Sequence, residues 1–184
     1  MRAFIAIDIP EVLHKSVRKF QSSLDRTQIF NASWTNQYHF TLKFLGNITV
    51  EKQLKNIIEK LEIISKRNSS FTAELKGISG FPYKISPRVI WIGIGEGSDR
   101  INALQKIIND EFIKLNFENE TNYTNHLTLA RVNAINNKPA WLDILKSNEN
   151  RSFGKFKVSS IKLYESKLRQ GRHVYEVIRD FNLA

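Results

Sequence analysis

The sequence predicts an α+β fold of mostly antiparallel sheets with helices on their outer faces. Three observations lead there. Hydrophobic periodicity switches repeatedly between two and about 3.6 along the chain. The strand-like stretches alternate apolar and polar residues, the pattern of strands buried on one face. Strands and helices also follow one another in mixed order rather than in regular alternation.

The elements follow in turn. Residues 3–8 read as a buried strand, and Leu13, Val17, Phe20 and Leu24 then form one helical stripe between Glu11 and Arg26. A strand at 38–45 closes on the Gly46-Asn47 turn signal. Leu54, Ile57, Ile58, Leu61 and Ile64 recur at helix spacing over 50–65. Phe71, Ala73 and Leu75 alternate with polar residues as a strand. Arg88–Ile94 is another strand, and Gly93, Gly95 and Gly97 make a turn before a helix from about Asp99 to Leu115. These glycines lack the Lys-Ser/Thr of a phosphate-binding P-loop. A strand at about 122–132, a short helix near Pro139–Lys146 and strands at about 155–165 and 172–179 complete the chain.

Composition narrows the function. The 184 residues suit one compact unit or two joined halves. With 28 Lys and Arg against 18 Asp and Glu, the net charge is +10, which favours a polyanionic partner such as RNA, DNA or an acidic membrane surface. The absence of cysteine excludes a disulfide framework, thiol catalysis and Cys-based zinc sites. The apolar run Ala3–Ile7 stops at Asp8 and Pro10, too short for a signal core or a bilayer span, so a cytoplasmic protein is expected.

The chemistry lies in a short motif that occurs twice. His39-Phe40-Thr41-Leu42 is matched by His126-Leu127-Thr128-Leu129, both in strand-like surroundings. Alternate side chains of a strand share a face, so each copy presents one imidazole and one hydroxyl while its apolar residues anchor the strand behind. Two such strands across a groove would set two imidazoles around one target. A pair of histidines near neutral pH supplies both a proton acceptor and a proton donor. Threonine hydroxyls can donate to non-bridging phosphate oxygens. This is the equipment for in-line displacement at phosphorus, and the scheme needs no metal or cofactor. Neither motif has an acidic neighbour or the spacing of a metal site.

Other residues are less specific. Arg131, five residues after His126, points to the opposite face under strict alternation and reaches the cleft only where the strand ends or bulges. Lys43 shares the parity of His39 and Thr41, which would make it a cleft-edge charge. His14 falls off the first helix's apolar stripe and His173 opens the last strand; both read as exposed. Trp34, Tyr38, Phe81, Tyr83 and Trp91 are candidates for stacking on bases, although most aromatic residues serve the core.

The doubled motif resembles that of the two-histidine phosphoesterases, in particular the RNA 2′,3′-cyclic phosphodiesterases, also called 2′-5′ RNA ligases. The resemblance spans nearly the whole chain. It takes in Arg2–Asp8, His39–Gly46, Phe81-Pro82 with Pro87–Trp91, His126–Arg131, and Leu163–Ser166 with Gly171 and Tyr175. Relatives often carry Pro directly before the second His, where this chain has Asn125.

The resemblance implies one two-lobed domain over residues 1–184, with pseudo-twofold symmetry and one motif from each lobe in a central cleft. It implies metal-independent hydrolysis of a terminal RNA 2′,3′-cyclic phosphate to a 2′-phosphate. His39 would be the proton donor and His126 the proton acceptor, with Thr41, Thr128 and Arg131 holding the phosphate. An RNA end is the expected partner; no membrane or obligate protein partner is expected, and the chain is expected to be a monomer. Two alternatives stay open: reversible 2′-5′ ligation in the same site, and a non-catalytic basic RNA-binding module.

Overall fold

The computed structural model describes residues 1–184, the side chain of Arg172 excepted. The described residues form nine strands and four helices. In chain order they are β1 (Arg2–Asp8), α1 (Glu11–Arg26), β2 (Phe30–Trp34), β3 (His39–Asn47), α2 (Glu51–Lys66), β4 (Phe71–Tyr83) and β5 (Ser86–Ile94). There follow α3 (Ser98–Ile113), β6 (Leu127–Ile135), α4 (Lys138–Ser147), β7 (Ser152–Val158), β8 (Ser160–Arg169) and β9 (Arg172–Asn182).

The strands join into one sheet in the order β7-β4-β5-β6-β3-β1-β8-β9, with β2 also paired to β6. Every pairing is antiparallel. The order is a palindrome in kind. On either side of the β6–β3 junction lie a strand that precedes a helix (β5 or β1), then a partner (β4 or β8), then an edge (β7 or β9). The two lobes expected from the resemblance are therefore halves of one sheet rather than separate sheets.

One face of that sheet packs the helices. Ala3, Ile5 and Ile7 of β1 join Leu13, Val17, Phe20 and Leu24 of α1, and the apolar stripes of α2, α3 and α4, in one large core. Phe4 and Ala6, of opposite parity, join Tyr164 and Tyr175 in a separate small cluster on the other face. Helix starts obey local chemistry. Gly97 precedes α3 with φ 81°, and a Cβ there would lie 2.4 Å from the Thr72 carbonyl oxygen. Asn137 caps α4 by accepting from the Ala140 N–H, with Pro in the first turn.

Several boundaries differ from the sequence reading, among them the strand read at about 122–132, which is Leu127–Ile135. The strand β2 was passed over in the sequence reading although Phe30, Ala32 and Trp34 alternate with Asn31 and Ser33; it pairs along β6. The β4 strand runs on to Tyr83 as the first arm of a hairpin with β5. The stretch read as one strand at 155–165 is two, broken at Ser159. No described helix is long and apolar enough to cross a membrane.

Candidate active site

The two motifs meet at the centre of the sheet. Phe40 of β3 pairs with Leu127 of β6, both fully buried, so the twofold relation passes between them. His39 and His126 each lie one residue before that pair on antiparallel strands. Register therefore sets them diagonally on the opposite, helix-free face, with about 8 Å between their Cα atoms. Thr41 and Thr128 follow on the same face. The side chains of all four are half-buried.

Each motif is followed by a β-bulge. In the first, Ala6 faces Thr41 and Ile5 faces Lys43, leaving Leu42 over. In the second, Trp91 faces Thr128 and Ile90 faces Ala130, leaving Leu129 over. A bulge reverses the alternation beyond it. Lys43, expected at the cleft edge, is instead 2% exposed on the helix side. Its Nζ donates to Asn109 Oδ1 and to the Glu118 carbonyl, both at 2.7 Å, and burial lowers its pKa against the pull of Glu120 and Glu118. The same reversal acts on Arg131 in the other sense. Val132 enters the core and Arg131 turns out on the face of Thr128, exposed, which meets the condition set for its reaching the cleft.

The two imidazoles have different surroundings. The His39 ring lies 5.2 Å from Phe4 and 6.0 Å from Tyr164, and meets Tyr175 edge-on at 5.2 Å. Burial among these rings pushes its pKa down to about 4, opposed by the Asp8 carboxylate and assisted by the neighbouring His126. Asp8 is the register partner of His39. Its carboxylate accepts from Tyr164 Oη at 2.7 Å through both oxygens and from Lys162 Nζ at 2.9 Å.

The His126 ring meets Phe81 edge-on at 5.0 Å and lies 6.1 Å from Trp91. Burial lowers its pKa as well. Its Nδ1 is 2.8 Å from the Thr124 carbonyl oxygen. A carbonyl only accepts, so Nδ1 carries the hydrogen and the lone pair of neutral His126 is on Nε2.

Several positioning residues escaped sequence reasoning. Asn125 is 8% exposed, and its Nδ2 donates to Ser98 Oγ and Asn102 Oδ1, both at 2.9 Å, pinning the entry to the second motif onto α3. Gln21 Nε2 donates to the Thr35 and Leu129 carbonyls at 2.9 Å, and its Oε1 accepts from Tyr38 Oη. It thereby closes the ladder where the chain bows out between β2 and β3. Its signal was available, since a glutamine four residues after Val17 continues the apolar stripe of α1. Asp8 also carried one, as a carboxylate sharing the parity of Phe4 and Ala6.

Of the stacking candidates, Phe81 and Trp91 flank His126. Tyr38 does not reach the cleft: it is 5% exposed and serves Gln21. Trp34 packs on the main core and donates to Asp25 at 2.7 Å, and Tyr83 stands exposed where β4 turns into β5. His14, expected exposed, is half-buried edge-on against Tyr38 with Nε2 3.2 Å from the Ile9 carbonyl oxygen. His173 is exposed, as expected. Among the described residues, no group of three or more His, Asp or Glu side chains is placed to hold a metal ion.

A duplicated strand motif on one curled antiparallel sheet defines a two-histidine class of fold. The LigT-like phosphoesterase family model matches the chain twice, over residues 7–91 and 92–175, and the chain belongs to that family. Curated relatives named RNA 2′,3′-cyclic phosphodiesterase include one from Methanocaldococcus jannaschii, 35% identical across 98% of this chain and 100% of its own length. Another, from Aquifex aeolicus, is 30% identical across 100% of this chain and 98% of its own. The fold is also that of E. coli LigT crystallised with 3′-AMP, at a TM-score of 0.78 and 20% identity over 99% of this chain and 97% of that one.

Proposed function

We propose that the protein opens the terminal 2′,3′-cyclic phosphate of RNA to a 2′-phosphomonoester, without a metal ion. Water attacks phosphorus opposite the 3′ oxygen as His126 Nε2 takes its proton. The P–O3′ bond breaks while His39 gives its proton to the departing 3′ oxygen. Solvent then returns both imidazoles to their starting states. Thr41 and Thr128 donate to the non-bridging oxygens, whose charge grows in the transition state, and Arg131 adds a cation at the rim. The chain acts as one two-lobed domain, as a monomer, in the cytoplasm.

The observation that carries this reading is the pairing of Phe40 with Leu127, which sets the two imidazoles diagonally about one small space. The tautomer of His126 supports its role as acceptor, and the carboxylate beside His39 supports its role as donor. The names of the full-length relatives support the substrate. Burial leaves His39 uncharged in the empty cleft at neutral pH; an entering phosphate anion favours its protonation.

A short RNA ending in a 2′,3′-cyclic phosphate tests the reading directly. The expected product carries its phosphate on the 2′ oxygen, and the rate is unchanged by EDTA. A 3′-phosphate product, or activity abolished by EDTA and restored by a divalent cation, would overturn the scheme.

A further inference from the structure

We propose that Asp8, held in place by Tyr164 and Lys162, is a positioning residue that keeps the proton on His39 once a phosphate anion enters the cleft. The inference rests on the reading of His39 as proton donor and adds to it the residue that makes a buried imidazole fit for the task.

The geometry is specific. Asp8 ends β1 directly across from His39. Two donors from the next strand fix its carboxylate: Tyr164 Oη reaches both oxygens and Lys162 Nζ takes one. Lys162 Nζ is also 3.8 Å from Asp180, so it sits between two carboxylates. Burial works against the charge of Lys162, but the Asp8 and Asp180 carboxylates outweigh it and its pKa rises. The phenol of Tyr164 is raised by burial and by Asp8, so it stays a hydrogen donor.

Tyr164 also links the carboxylate to the imidazole. Its ring stacks on Phe4 at 5.1 Å, and both rings flank His39. The titratable groups facing His39 are thus Asp8 from β1, Tyr164 and Lys162 from β8, Tyr175 from β9 and His126 from β6; the helices lie on the other side of the sheet. Of these, Asp8 supplies the negative charge that favours imidazolium.

The second lobe has no counterpart. Ile92 pairs with Leu127 as Ile7 pairs with Phe40, so the position matching Asp8 is Gly93. A proton-holding device on one imidazole alone is what a donor–acceptor division of labour requires.

The test is NMR titration of both imidazoles in the wild type, Asp8→Asn and Tyr164→Phe, free and saturated with a nucleoside 2′-monophosphate. In D8N the His39 midpoint is expected to fall by at least about half a pH unit in both states. The basic limb of the kcat–pH profile should move down with it, while the His126 midpoint stays in place. Y164F, which keeps the charge but removes one of the carboxylate's two donors, should show a smaller fall. Asp8→Glu, which keeps the charge, should restore part of the midpoint.

A His39 midpoint unmoved in folded D8N, or equal displacement of both histidines, would overturn the proposal. A wild-type protein that opens no cyclic phosphate yet shows the selective displacement would leave Asp8's hold on the proton standing and sink the hydrolytic reading alone.

Discussion

The two halves of the cleft share a backbone and differ in charge. Both carry His-x-Thr-Leu, both bulge directly after the threonine, and both meet at Phe40 and Leu127. The strand beside each motif sets the difference. Next to the first, β1 brings Ala6 against Thr41 and Asp8 against His39; next to the second, β5 brings Trp91 against Thr128. One imidazole therefore answers to a carboxylate and the other to a backbone carbonyl and two apolar rings. Symmetry supplies two groups of the same kind at the right separation, and the neighbouring strands make them unequal, which acid–base catalysis needs.

The sharpest way to break this comparison is to delete each imidazole in turn. His39→Ala and His126→Ala are each expected to lower kcat by roughly a hundredfold to ten-thousandfold, with the far-UV circular dichroism unchanged. The pH profiles should separate them. Loss of the acceptor His126 should remove the acidic limb, where protonation would otherwise disable it; loss of the donor His39 should remove the basic limb. Removal of the same limb by both variants would abolish the proposed division.

Unequal burial gives a second test, in stability. Folded His39 stays neutral down to about pH 4, whereas in the unfolded chain it takes up a proton near 6.5. Between those values the unfolded state binds more protons, so stability falls as pH drops through the window and levels off below it. The loss amounts to roughly 3 kcal/mol. Urea unfolding at a series of pH values should show it as the difference between wild type and His39→Gln, since the variant keeps the other titrating groups. A difference flat across pH 4–6.5 would mean that His39 is not desolvated as described.

The threonines probe the part the halves hold in common. Thr41→Val and Thr128→Val remove a hydroxyl and keep the shape, so each should cost about tenfold to a hundredfold in kcat/KM, the worth of a hydrogen bond to a charged oxygen. Near-equal losses would support a phosphate held symmetrically. A large loss from one alone would place the phosphoryl group nearer that strand.

How much of this was legible in sequence follows from what each signal needs. His39, Thr41, His126 and Thr128 were legible because a repeat and strand parity require only the chain itself. Lys43 was misread and Arg131 left undecided for a single reason, a one-residue bulge after each motif, which alternation cannot show because a bulge is defined by register against the neighbouring strand, β1 or β5. Strand β2 was missed although Phe30–Trp34 alternates apolar and polar residues, because five residues are a short signal and its partner β6 is distant in sequence. The partners of His39 were split between β1, before it, and β8 and β9, at the far end of the chain, and only the sheet order β3-β1-β8-β9 joins them.

The smallest expected effect tests how the second half is held. Asn125 pins the entry to β6 through Ser98 and Asn102 of α3. Asn125→Ala removes these hydrogen bonds from a nearly buried side chain while half-buried Ser98 and exposed Asn102 can turn to water, a cost of about 1 kcal/mol in urea unfolding. The preceding residue is Thr124, whose carbonyl sets the His126 tautomer. Loosening the entry should therefore reduce kcat a few-fold, and His126, not His39, should carry the change. Its Nδ1 proton should exchange faster with water in N125A while the basic limb of the pH profile stays where it was. If stability falls but proton exchange and kcat do not change, Asn125 serves the fold of the loop alone, and the acceptor half owes its orientation to Phe81 and Trp91.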